Sequence, residues 1–186
     1  MSGEVGTRAG LYLLLAALLR EAPDRGMLSR LQNLQVEAGD EELDQALSAL
    51  RQAAGVSDPL GLDREFHALF IGITEGELMP YASWYRDGHL HGDTLTRLRL
   101  AMKELGIERT PENREPEDHI AVLCETSALL ILEGDDRQKG LYRRYLAPWA
   151  PRFFTDLVQA EAANFYRAVG RLGQAFMALE GHYCAV

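Results

Sequence analysis

Between residues 7 and 21, Leu11, Leu14, Leu15, Leu18 and Leu19 share one helical face and Pro23 closes the segment, which predicts an opening helix. Leu28, Leu31 and Leu34 predict a short second helix. Leu43, Ala46, Leu47 and Leu50 predict a third, launched by the acids Asp40, Glu41 and Glu42, with Gly39 and Gly55 as punctuation. Past a turn at 56–61, Leu62, Phe66, Leu69 and Phe70 form another apolar stripe ended by Gly72, and Leu95, Leu98, Met102 and Leu105 one ended by Gly106. The segment 114–132 is apolar nearly all round, with Ile120, Leu123, Cys124, Ser127, Leu130 and Ile131 at helical spacing and Val122, Ala128, Leu129 and Leu132 filling much of the other side, the pattern of a central buried helix. Its start is expected at Pro116, because proline loses nothing in a first turn, and Glu117 and Asp118 put negative charge at the positive end of the helix dipole. Leu141, Tyr142, Tyr145 and Leu146, then Phe153, Phe154, Leu157 and Val158, flank a break at Pro148 and Pro151. Phe165, Val169, Leu172, Phe176 and Leu179 draw a long closing stripe. Alternating β-branched runs are absent, so the expected architecture is all-α, a compact multi-helix bundle of about eight to ten helices.

A chain of 186 residues suits one domain, 1–186, and the polar stretch 108–115 is a candidate hinge between two halves. Hydrophobic content of 47% and charged content of 25% are those of a folded globule. The formal charge of -9 repels phosphates on average and argues against nucleic acid and stable insertion into anionic membrane, while favouring cationic partners. The two cysteines, Cys124 and Cys184, fit reduced thiols better than a disulfide framework. The apolar run 11–19 is too short to cross a bilayer, and Glu4, Arg20 and Glu21 are the wrong flanks for a signal peptide, so the expected address is cytoplasmic.

From 72 to 92 the periodicity stops, and Gly72, Gly76, Pro80, Gly88 and Gly92 interrupt a stretch carrying Tyr81, Trp84 and Tyr85. A long aromatic loop in a small domain points to function. A second polar knot, Glu115, Glu117, Asp118 and His119, stands at the mouth of the central helix. An enzyme reading would make Asp118, His119, His67, His89, His91 and Glu125 the parts of a helical metal-dependent hydrolase. Neighbours on a helix point about 100° apart, however, so Asp118 and His119 do not share one ion easily, and neither an H-E-x-x-H motif nor a Cys/His cluster is present. Cys124 on an apolar face is inert, Ser83 and Ser127 lack a nucleophile elbow, and no glycine-rich phosphate cradle occurs. No catalytic residue, metal or cofactor is expected. A binding reading takes the aromatics as hot-spot area and the carboxylates as partners for guanidinium groups. The ligand that fits is a basic segment followed by an apolar run, the form of a secretory signal peptide. The plainer alternative is that the aromatics pin a loop and the acids cap a helix.

Four ordered segments, EFHALFIG at 65–72, MPYASWYRDG at 79–88, EPEDHI at 115–120 and LAPWAPRFF at 146–154, resemble the TorD/DmsD family of cytoplasmic chaperones for molybdenum redox enzymes, a likeness running over 62–180. The resemblance implies an all-helical chaperone without turnover of its own. It would bind the twin-arginine signal peptide of a molybdoenzyme precursor, assist cofactor insertion and delay export until the client is mature. Matched motif by motif and combined with the residue chemistry, the signal-peptide site comprises Pro80, Tyr81, Trp84, Tyr85, Asp87, Pro116, Glu117, Asp118 and His119, with the leader's arginines at Asp118 and its apolar run on Tyr81 and Tyr85. Met79 replaces the first of the family's paired loop prolines. The resemblance also implies contact with the folded body of the precursor, and a monomer with a domain-swapped dimer as a second form.

Overall fold

The computed structural model describes residues 2–35, 39–72, 76–107 and 115–185, with side chains in the first helix from residue 5 onward. Among them are α1 (Ser2–Arg20), α2 (Arg25–Gln32), α3 (Glu41–Val56), α4 (Pro59–Phe66), α5 (Ala82–Asp87), α6 (Asp93–Glu104), α7 (Ile120–Leu132), α8 (Arg137–Leu141), α9 (Ala150–Gln159) and α10 (Phe165–Ala185). Two π-helical turns, His67–Ile71 and Tyr142–Leu146, continue α4 and α8. The all-α expectation holds: among the described residues the β pairing is one isolated antiparallel bridge, Tyr81 with His119. No described helix is long and apolar enough to cross a membrane. The candidate hinge at 108–115 lies, apart from Glu115, outside the described residues.

The chain forms two compact units that interleave in sequence. One comprises Met1–Leu19, Pro80–Ala150 and Cys184–Val186, the other Arg20–Met79 and Pro151–Tyr183. In the first, α7 is the core, with Ile120, Ala121, Leu123, Cys124, Ser127 and Ala128 fully enclosed, although Leu129 and Leu132 emerge near its end. Burial, followed by the nearby Glu125 charge, pushes the Cys124 thiol well above its ordinary range, as an inert core cysteine requires. In the second unit, short-range caps start the helices. Asp24, Asp40 and Asp58 accept the N–H groups of Met27, Leu43 and Gly61 at 2.6, 2.9 and 3.0 Å. A long-range cap anchors α10, where the Glu65 carboxylate receives the N–H groups of Asn164, Phe165 and Tyr166 at 2.7, 3.2 and 2.8 Å. Phe154 packs its ring where a Gly173 side chain would stand, and a side chain at Gly170 would meet the α9 backbone at Phe154 and Val158, so α9 and α10 pack closely at these glycines.

Three expectations are corrected. The central helix begins at Ile120, not Pro116, because 116–119 makes a tight turn, with the His119 N–H donating to the Pro116 carbonyl at 3.0 Å, and then pairs with 80–82. The 72–92 stretch is not all loop, since α5 lies inside it. Gly55 does not end α3, which runs on to Val56.

Candidate functional site

All nine residues singled out from sequence fall in the first unit, on α5, its flanks and the 115–119 turn. The two segments meet backbone to backbone. The Ile120 N–H donates to the Pro80 carbonyl and the Ala82 N–H to the Asp118 carbonyl, both at 2.9 Å, framing the Tyr81–His119 bridge. The Tyr81 hydroxyl donates to the Glu115 carboxylate at 3.0 Å, and its ring meets the His119 imidazole edge-on at 5.1 Å. Burial first, then the Glu115 charge and hydrogen bond, hold the Tyr81 phenol far above its ordinary pKa. His119 is buried and its Nδ1 accepts the Ala121 N–H at 3.1 Å, so the imidazole serves as the N-cap of α7.

Helix α5 is six residues long, too short to persist alone, and is held at both ends by carboxylates. Asp118, 1% exposed, accepts the Ser83 N–H at 2.9 Å from 35 residues away. At the other end Gly88, at φ 78°, takes the left-handed conformation that stops the helix and frees Asp87 to cap the next one. Asp87 accepts the Thr94 N–H at 2.9 Å and the Thr94 hydroxyl at 2.8 Å. Desolvation alone would raise the Asp87 pKa, but the Thr94 hydrogen bonds, with His89 and Arg86 nearby, outweigh it and hold the carboxyl below its usual range. The Asp87 carboxylate occupies the space a Gly92 side chain would need.

The outer face of α5 differs. Trp84 is 40% exposed, while Tyr85 lays its ring against Trp149 with centroids 5.5 Å apart. The Tyr142–Leu146 turn presents its carbonyls to side chains of this region: Arg86 Nη1 donates to the Arg144 carbonyl at 2.9 Å and Trp149 Nε1 to the Tyr145 carbonyl at 2.6 Å. Glu117, with its side chain 16% exposed, accepts from Arg99 Nε of α6 at 2.9 Å. Of the carboxylates in the turn, Glu117 thus holds a guanidinium, whereas Asp118 is enclosed and bonded to backbone.

Trp149 and Arg86 lie within the segments 146–154 and 79–88 but are not among the residues singled out from sequence, and Arg99 lies outside all four segments. An aromatic between two prolines could have flagged Trp149, whereas nothing in the sequence joins Arg99 to an acid 18 residues away. Among the described residues no group of three or more His, Cys, Asp or Glu side chains could hold a metal ion. Asp118 and His119, on which a hydrolase would depend, are both committed to backbone N–H groups.

Residues 36–155 match the nitrate reductase delta subunit family. The Tat proofreading chaperone DmsD of Salmonella typhi is 33% identical over 120 residues, which cover 63% of this chain and 59% of that protein. The chaperone protein TorD of Vibrio vulnificus strain YJ016 is 24% identical over 201 residues, covering 95% of this chain and 94% of its own. An Archaeoglobus fulgidus crystal structure, assigned to redox enzyme maturation, shares the fold with a TM-score of 0.65 over 92% of this chain and 93% of its own, at 22% identity. With the family model spanning well over half of its residues, and with DmsD and TorD chaperones among its relatives, this chain belongs to the nitrate reductase delta subunit family.

Proposed function

We propose that the chain is a cytoplasmic chaperone of molybdoenzyme maturation. It binds the twin-arginine leader of a precursor on the surface made by α5 and the 115–119 turn, and holds the precursor back until its cofactor is inserted. The observation that carries this reading is the pairing of Glu117 with the Arg99 guanidinium on a turn joined to the helix that exposes Trp84. The 2.9 Å bond to Arg99 marks Glu117 as a carboxylate placed to take a guanidinium, for which a leader's arginine competes with Arg99, and an exposed tryptophan offers apolar area to the run that follows a leader's arginines. Asp118, Asp87, His119, Tyr81, Tyr85, Pro80 and Pro116 support this surface by shaping it, and Glu117 is the acid that faces the arginines. The hydrolase alternative has no support, since the relatives are named chaperones and Asp118 and His119 are capping groups. In this reading the chain also touches the folded body of its client, and acts as a monomer with a domain-swapped dimer as a second form.

The test is a titration of a labelled twin-arginine leader peptide, followed by anisotropy at two salt concentrations. Glu117→Gln should weaken binding and flatten its salt dependence, because the missing contribution is charge. Trp84→Ala should weaken binding with the salt dependence retained. A peptide that does not bind, or that binds both variants as it binds the parent, refutes the assignment.

A further inference from the structure

We infer that a cavity of about 230 Å³ in the same unit, between α6, α8 and the Tyr142–Leu146 turn, is the subsite for one apolar side chain of the leader, an inference that rests on the leader-binding reading above. Ala101 of α6, Leu105 just past its end, Leu141 of α8 and Tyr145 line it, together with Gly140 and the charged Glu104. It is smaller than the ~300–1,000 Å³ of ordinary small-molecule sites, so it suits a single large side chain rather than a cofactor.

Two connections tie the cavity to the proposed leader surface. Arg99, which reaches Glu117, and Leu105, which lines the cavity, are both on or at the end of α6, six residues and therefore about 9 Å apart along its axis. The π-helical turn that supplies Tyr145 and Arg144 to the cavity also gives its carbonyls to Trp149 and Arg86, the neighbours of α5. Turns of this kind recur at functional sites because the extra residue re-aims side chains. An extended peptide advances about 3.3 Å per residue, so the rise between these two positions of α6 corresponds to about three peptide residues. Charge sets the direction of the chain. Glu115 and Glu117 attract the basic end of a leader, whereas at the cavity Arg137 is paired with Asp135 and Arg144 offsets Glu104, so no excess negative charge holds an arginine there and the uncharged run takes the place.

Gly140 supplies the decisive variant. Gly140 lines the cavity and a Cβ added there meets nothing within 4 Å, so Gly140→Leu places apolar bulk at the lining and replaces glycine by a better helix former. With a labelled peptide carrying an arginine pair followed by leucines, Gly140→Leu should bind at least tenfold more weakly than the parent while melting no lower. Ala101→Leu, which adds bulk at a lining residue of α6, should do the same. A second peptide with serine at the third and fourth positions after the arginines should bind the parent weakly and be insensitive to both fillings. Equal binding of the leucine peptide to parent and filled variants, or equal losses for the two peptides, overturns the subsite while leaving the leader reading intact. Failure of the parent to bind the leucine peptide overturns both.

Discussion

Asp118 is the residue whose replacement separates a structural clamp from a surface ligand. Its carboxylate is 1% exposed and is the side-chain acceptor for the first turn of α5, through the Ser83 N–H at 2.9 Å. Asp118→Ala removes a hydrogen bond to a charged group, worth about 1.5–3 kcal/mol, and leaves a buried N–H without a partner. The Ser83 hydroxyl beside it is already buried and makes no hydrogen bond among the described residues. At about 2–4 °C per kcal/mol for a chain of this size, a loss of roughly 2–3 kcal/mol lowers the melting temperature by about 4–12 °C. Asp118→Asn, which retains an oxygen facing Ser83, should fall between that variant and the parent. Glu117→Gln should melt within about 1 kcal/mol of the parent, as expected for a pair whose arginine is half exposed. Thermal unfolding followed by circular dichroism, with leader titration of the same samples, makes the comparison. If Asp118→Ala melts with the parent and loses only leader affinity, the carboxylate belongs to the binding surface and the clamp argument is wrong.

Arg99→Ala should tighten leader binding several-fold with little change in melting, since it releases Glu117 from its internal guanidinium; weaker binding would mean that Arg99 positions Glu117 instead of competing for it. The Asp87 carboxyl is held below its unfolded value, so its stabilisation is complete above about pH 4 and is lost as pH falls through the lowered pKa. The gap in melting temperature between parent and Asp87→Asn should therefore close on acidification from pH 6 to pH 2, and a constant gap would exclude that origin. Gly173→Ala should drive a methyl group into the Phe154 ring and cost about 1–3 kcal/mol by overpacking, without altering leader affinity, which calorimetry and the peptide titration together check.

Apolar periodicity was enough to read the helical class, the opening helix, the buried character of the 120–132 segment and the closing stripe of α10, because a repeat near 3.6 residues is a local property. The chemistry of the candidate site was legible in kind for the same reason: aromatics amid glycines and acids before an apolar run are visible in a linear string. The start of α7 was misread because proline and acids are only permissive signals, and the turn at 116–119 is stabilised by pairing with Pro80 and Ala82, which are distant in sequence. Helix α5 was missed because its N-terminal partner is Asp118, 35 residues away. The division of labour between adjacent acids lay beyond the sequence too. Asp118 and Glu117 are equivalent in charge and spacing, and only the tertiary structure encloses one against backbone N–H groups and leaves the other at the rim holding Arg99. Which carboxylate clamps and which can receive a ligand depends on desolvation and on long-range partners, and both exist only once the chain has folded.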